Sequence, residues 1–386
     1  MRPLLVVAAI AVTSGAEADP LRLRADALST TASPAGLLTL EASGDPGPGL
    51  SAEAVVWTGS LAEESRGDVL VIALRAHTAG GRASVRVGRF VESLGALRPI
   101  HVDGAAVRVR LPLELAAETY AGMPVVPGLA TARGWSWAVG GRMARSIGDA
   151  GSIGVAYAQQ RDDGRLSSEE VGVDAGAALG RRDDLGAKLT YDLANPGLAE
   201  VAVTASHRSK TLRTELYVSH RAASHLLPAT SLFSVLGDVP AERAGAVATW
   251  RCAPRLDLIA DLGARRVDRD VAPEAVVRAR LRLDDLGTSA LTGELRRDGV
   301  GEDTWTGARG AARIALPHAL ALSTELELVI PDRDRGLGTA WPWGLAAVSW
   351  DDGTWQAAVA LEASASPQDR RRVDVLGQLG RRWGSR

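Results

Sequence analysis

Val276-Val-Arg-Ala-Arg-Leu-Arg-Leu283 separates its side chains into two kinds. Ala275, Val277, Ala279, Leu281 and Leu283 fall on one side of an extended strand, and Val276, Arg278, Arg280 and Arg282 fall on the other. Strand side chains alternate with period 2, so this stretch has one apolar and one cationic face. After Asp284-Asp-Leu-Gly-Thr288 the alternation resumes, with Leu291, Gly293 and Leu295 opposed to Thr292, Glu294 and Arg296. The pair reads as a β-hairpin.

Working outward, the same unit recurs from Leu21 to Trp383. Leu38, Leu40 and Ala42 oppose Thr39, Glu41 and Ser43, and Val107 and Val109 oppose Arg108 and Arg110. Leu115 and Ala117 alternate with Glu114 and Glu118, and Leu212, Leu216 and Val218 with Arg213, Glu215 and Tyr217. Leu258, Ala260 and Leu262 oppose Asp257 and Asp261, and Leu326 and Leu328 oppose Glu325 and Glu327. The reading gives about twenty-two strands, within a range of about sixteen to twenty-two, and only weak helical periodicity over 226–236.

The chain has 386 residues, 46% hydrophobic and 23% charged, with net charge −2. That balance gives no nucleic-acid footprint. Cys252 is the single cysteine, which excludes an internal disulfide and a cysteine-based zinc site. The six histidines are scattered without a carboxylate cluster, no serine–histidine spacing stands out, and the glycines lack a strand–GxGxxG–helix context. Neither a metal, a cofactor nor an enzyme activity is expected.

Arg2, the apolar run Leu4-Leu-Val-Val-Ala-Ala-Ile-Ala-Val12 and Ala16-Glu17-Ala18 have the form of a secretory signal peptide. Residues 1–18 are expected to be removed and 19–386 to form a single domain. The apolar run is too short to span a bilayer, which needs about 20 residues. With no cysteine after the cleavage site, a lipoprotein is excluded. Strand one begins almost at once, which leaves no N-terminal plug domain in this reading.

Connections alternate in length. Short ones are expected at 44–49, 78–81, 111–113, 284–288 and 351–354, and longer ones at 59–67, 90–102, 121–133, 161–167, 221–241, 266–272 and 330–340. Short turns at one rim and long loops at the other are the pattern of a membrane barrel. The tryptophans fall near strand ends. Trp57, Trp135, Trp137, Trp305, Trp341 and Trp343 are expected at the long-loop rim and Trp250, Trp350, Trp355 and Trp383 at the short-turn rim, as two interface girdles.

A signal peptide, amphipathic strands, alternating loops and aromatic girdles together resemble the porin-like outer-membrane β-barrel proteins of Gram-negative bacteria. Val87-Gly-Arg-Phe90 with Arg98-Pro-Ile-His-Val-Asp-Gly104 is similar to the "GR…DG" strand–loop–strand pattern of some of them. The resemblance implies an all-β fold: a closed antiparallel transmembrane β-barrel with an even number of strands. It implies outer-membrane lipid, small polar solutes and the outer-membrane assembly machinery as partners, and admits a homo-oligomer. Such chains usually end in an aromatic residue, whereas this one ends Trp383-Gly-Ser-Arg386, so either Trp383 serves three residues early or the assembly signal is atypical.

In a barrel the polar face lines the lumen. Arg278, Arg280 and Arg282 then stand between Asp257 and Asp261 on one strand and Glu294 on the next, and Arg108 and Arg110 stand near Glu114 and Glu118. Arg213, Glu215, Glu325 and Glu327 line the same surface. Rows of opposite charge either orient permeating solutes or only tie the wall together by cross-strand pairing. Leu226, Leu227, Phe233 and Leu236 make 221–241 too apolar for a solvated loop, so it is expected to narrow the pore, to contact a partner, or to cap the rim. The leading functional expectation is a passive diffusion channel. The alternative is a non-conducting structural barrel that binds envelope partners.

Overall fold

The computed structural model describes residues 22–30, 35–61, 64–125, 135–222, 240–267, 269–299, 304–333, 339–365 and 371–383. The expected signal peptide and Leu226, Leu227, Phe233 and Leu236 lie outside the described residues. Among the described residues twenty-two strands follow one another. They are β1 (Arg22–Thr30), β2 (Ala35–Gly47), β3 (Leu50–Leu61), β4 (Glu64–His77), β5 (Ala83–Glu92), β6 (Ile100–Arg110), β7 (Leu115–Pro124) and β8 (Trp137–Ser146). Next come β9 (Gly151–Asp162), β10 (Arg165–Ala178), β11 (Asp183–Asp192), β12 (Gly197–Arg208), β13 (Leu212–Arg221), β14 (Ala241–Ala253) and β15 (Leu256–Val267). The last are β16 (Asp270–Arg282), β17 (Ala290–Asp298), β18 (Trp305–Leu316), β19 (Leu320–Pro331), β20 (Trp341–Asp351), β21 (Trp355–Ser364) and β22 (Arg372–Trp383). The even count of twenty-two expected from the sequence is the count observed.

Each strand pairs antiparallel with the next, and β22 returns to pair with β1 from Leu23↔Trp383 to Thr30↔Leu376. The sheet is a closed barrel with no free edge. Strands of 9 to 14 residues reach or exceed the roughly 9–11 that a tilted strand needs to cross a bilayer.

Alternation decides the two faces. Ile72, Leu216, Leu262, Leu295 and Leu326 stand on one surface, with Leu326 70% and Leu295 62% exposed. A water-soluble protein rarely shows a contiguous apolar patch beyond a few hundred Å², so an apolar coat around a whole sheet belongs against lipid. Between the two rims the charged side chains mostly occupy the opposite surface. That surface is the concave one, because the β5–β6 connection at 93–99 reaches β8, β10 and β11 along it. A seven-residue loop covers that distance only as a chord across the inside of a curved sheet.

Turn chemistry sets the hairpins. At Gly49 (φ +73°) an added Cβ would lie 2.6 Å from the His77 carbonyl oxygen, so only glycine fits. The 283–289 turn is gathered by Asp284, whose carboxylate accepts from Thr288 N (2.9 Å), Thr288 Oγ1 (2.8 Å) and Ser289 N (2.6 Å). Partial burial pushes this carboxyl up, but the hydrogen bonds from Ser289 and Thr288 outweigh it and hold it well below the usual carboxylate range.

The alternation of loop lengths is weaker than the sequence reading. Stretches 59–67, 161–167 and 266–272 are not long loops: their strands stay paired to Leu61↔Glu64, Arg165↔Asp162 and Val267↔Asp270. Each further ladder pair satisfies backbone groups that a loop would leave to water. At 161–167 the signal was present in Asp163-Gly164, both with positive φ (50° and 76°), a strong two-residue hairpin turn.

Val276 and Val277 are adjacent at the centre of β16 and face opposite sides. Val277→Arg, on the lipid face, is expected to cost about 2–4 kcal/mol of barrel stability, and Val276→Arg, in the lumen, to cost little. Urea titration of heat-modifiable gel migration measures both, and equal costs would reverse the assignment of faces.

Candidate functional site

The wall from β13 to β19 carries a continuous charge network. Register sets Asp257 opposite Arg280 and Arg278 opposite Glu294. Arg278 Nε donates to Glu294 Oε2 at 2.7 Å. Arg282 and Arg251 both approach Asp257, at 3.4 and 3.5 Å. Asp261 accepts from the Tyr217 hydroxyl at 3.0 Å. Further on, Arg309 ion-pairs with Glu325 at 2.6 Å, Arg296 with Glu327, and Arg213 with Glu215 at 3.4 Å. Arg280 is exposed and has no ion-pair partner within 4.0 Å among the described residues. The cationic row is therefore one unneutralised charge between two paired ones.

On the other side, Arg142 forks onto Asp174 (Nε to Oδ1 3.0 Å, Nη2 to Oδ2 2.5 Å) and approaches Glu118 at 3.7 Å. Arg108 pairs with Glu118 at 2.9 Å, and Arg110 is exposed on the same face. Glu114 is not on the wall. It sits in the 111–114 turn beside Leu113, both with φ near +60°, and accepts from Gly148 N at 3.0 Å. The short connection expected at 111–113 runs one residue further, so the strand starts at Leu115 and Glu114 stays at the rim.

The 93–99 connection is the inward loop among the described residues. Leu94 and Leu97 join Phe90, Val102, Tyr120, Ala138 and Ala156 in a buried cluster. Thr190 Oγ1, fully buried on β11, donates to the Ala96 carbonyl at 2.9 Å, and Arg98 pairs with Glu170 at 3.0 Å. Gly95 (φ +57°) passes so close to Asp174 and Arg142 that an added Cβ would collide with both side chains. The connection 221–241, for which narrowing the pore is one of three readings from sequence, lies for the most part outside the described residues. The signal at 93–99 was smaller: Leu94 and Leu97 about one turn apart around a glycine, bracketed by inward-facing Phe90 and Val102.

The GR…DG pattern acquires a geometry. Arg89 and Asp103 are directly opposite, with Nε to Oδ1 at 2.7 Å and Nη2 to Oδ2 at 2.9 Å, and Arg89 Nη1 also reaches Asp68 at 2.9 Å. The pair lies on the face of Val87 and Ala105, and Gly88 and Gly104 back it on the inside.

The tryptophans divide by rim. Trp250, Trp350, Trp355 and Trp383 lie in step with the apolar outer residues at the short-turn rim. At the other rim Trp137 faces outward and Trp135 projects from the loop, 80% exposed. Trp57, Trp305, Trp341 and Trp343 share the charged inner face: Trp305 lies under Arg296 at 4.9 Å, and Trp343 Nε1 donates to Glu362 at 2.8 Å. Position near a strand end does not give the face, because one residue of register turns an indole from lipid to lumen. No group of three or more metal-binding side chains is found among the described residues.

The inner loop can be tested by cross-linking. A Cβ built on Gly172 lies 3.1 Å from the Ala96 Cβ, a few tenths of an ångström inside the spacing of about 3.5–4.5 Å found in disulfides. In a Cys252→Ser background, Ala96→Cys with Gly172→Cys is expected to form a disulfide on mild oxidation. Mass tagging with a maleimide would then find neither thiol reactive until reduction, whereas two free thiols would mean that the loop lies elsewhere.

No family model matches the chain, and no curated protein matches its sequence. Its fold is similar to that of the P pilus usher PapC translocation pore, with TM-score 0.54 at 9% identity over 95% of this chain and 99% of that one. It is also similar to the ferric enterobactin receptor PfeA in complex with BCV-L6, with TM-score 0.58 at 7% identity over 96% and 82%. Pseudomonas aeruginosa OpdK with vanillate aligns over 95% and 98% at 10% identity, with TM-score 0.40. Closure of the antiparallel strands, the apolar coat and the likenesses to the PapC pore and to PfeA agree: the chain has the fold of the outer-membrane β-barrel proteins.

Proposed function

We propose that the protein is an outer-membrane channel for passive diffusion of small polar solutes or ions. The carrying observation is the inner wall of the closed barrel, which carries arginine–carboxylate pairs both on β13–β19 and on β6–β10, with 93–99 as the inward loop among the described residues. A lumen built for a solute needs fixed charge beside water, and arginine supplies charge at any working pH. The reading includes export by the N-terminal signal and insertion by the outer-membrane assembly machinery.

Planar-bilayer recording of refolded protein tests it. Stable conductance steps are the expected result, and silence from heat-modifiable, folded protein would leave a structural barrel that holds envelope partners.

Within a conducting channel, Arg280→Gln is expected to account for most of the ion-preference shift produced by neutralising Arg278, Arg280 and Arg282 together. The shift is toward cations at 0.1 M salt, where screening extends about 10 Å, and nearly vanishes at 1 M, where it extends about 3 Å. Arg278→Gln acts differently. Its partner Glu294 has a side chain only 5% exposed and keeps only Arg309 opposite it, so removing the arginine is expected to cost about 1.5–3 kcal/mol of stability, the scale of a hydrogen bond to a charged group. Reversal potentials and urea midpoints separate the two effects.

A further inference from the structure

We propose that Arg381, Trp355 and Trp383 form a binding site for the phosphodiester of a membrane glycerophospholipid at the short-turn rim. Arg381 lies on the apolar side of β22, in step with Val373, Val375 and Leu379, which are 42–61% exposed. Its neighbours across the sheet are Trp355 on β21 and Ala25 on β1. By register the outward positions of these three strands are otherwise uncharged: Ala357, Val359 and Leu361 on one side, Leu23 and Ala27 on the other. Arg381 is thus one permanent charge set in the apolar coat beside the seam that closes the barrel.

Its surroundings are built for the guanidinium but leave its donors unused. The Arg381 carbon Cζ lies 4.7 Å from the Trp355 ring centroid and 4.8 Å from that of Trp383. Among the described residues no carboxylate comes within 4.0 Å, and Nε is buried without a hydrogen-bond partner. At the opposite rim three outward arginines carry an acid of their own, Arg89 with Asp103, Arg266 with Glu242 and Arg297 with Asp332, while Arg161 lies 5.8 Å from one indole, Trp137, and donates to the Gly164 carbonyl at 3.1 Å. The indoles satisfy the flat faces of the guanidinium through cation–π contact, and the edge N–H groups stay free. A phosphodiester matches that edge with two oxygens. Trp355 begins β21 and Trp383 ends β22, so the group stands at headgroup depth, where such phosphates are concentrated.

The inference rests on the apolar face meeting lipid and is independent of conduction. Native mass spectrometry of the detergent-solubilised barrel, titrated with dioleoyl phosphatidylglycerol or with dioleoylglycerol, tests it. The wild-type protein is expected to retain one phosphatidylglycerol, and Arg381→Gln to weaken that retention about tenfold, the scale of one charge-assisted hydrogen bond. Arg381→Lys should weaken it less, since the charge stays and the planar fork is lost. Equal retention by folded wild type and Arg381→Gln would overturn the proposal. So would equal retention of dioleoylglycerol by the wild type, a result that needs no variant to fold. Displacement of the lipid by equimolar inorganic phosphate would overturn it as well, marking a simple anion site. A wild-type protein lacking heat-modifiable migration would instead remove the lipid-facing reading itself.

Discussion

Backbone pairing of the first strand with the last is the constraint on which everything else depends. In hydrocarbon an unpaired N–H or C=O has no water to turn to, so a sheet survives there only without edges. The β1–β22 ladder closes the ring, and with it every strand from Arg22 to Trp383 has two neighbours. Closure also makes one face convex and one concave. The outer face is committed to an apolar coat, and the inner face is free to carry charge, because it borders water or other inner groups.

That freedom is used in two ways. On β13–β19 the wall is a lattice of arginine–carboxylate pairs that keeps most charges in register, with Arg280 and Arg313 exposed and without an ion pair among the described residues. On β5–β11 the wall instead supports the 93–99 connection. There Leu94 and Leu97 gain a small buried core, and the Arg142–Asp174 fork leaves just enough room for a glycine. The lumen therefore has a polar side and a side narrowed by a seated loop. This asymmetry follows from a few residues rather than from the general plan of the barrel.

Aromatic placement obeys the same geometry. At the short-turn rim, tryptophans fall on the outer face and hold Arg381 among them. At the opposite rim, Trp305 and Trp343 face inward and engage Arg296 and Glu362. An indole one residue along a strand serves a different medium, so counting tryptophans near strand ends locates a rim without saying what the ring touches.

The sequence by itself determined the fold class, bounded the strand number at about sixteen to twenty-two, and set the face of most strand residues. Each of these depends on local alternation, and Val276 to Leu283 carried it as plainly as any strand did. Alternation is local because a strand's two faces are set by its own backbone. What only the tertiary structure decided was long-range: that the barrel closes through β1 and β22, that 93–99 crosses the inside, that Glu114 belongs to a turn, that Arg280 stands unpaired between paired arginines, and that Arg89 and Asp103 of the GR…DG pattern meet as a fork. Each depends on strand register and on curvature. A one-residue shift in register exchanges partners across the whole wall, and curvature brings a loop on β5 to a threonine on β11 that is 94 residues away in the chain.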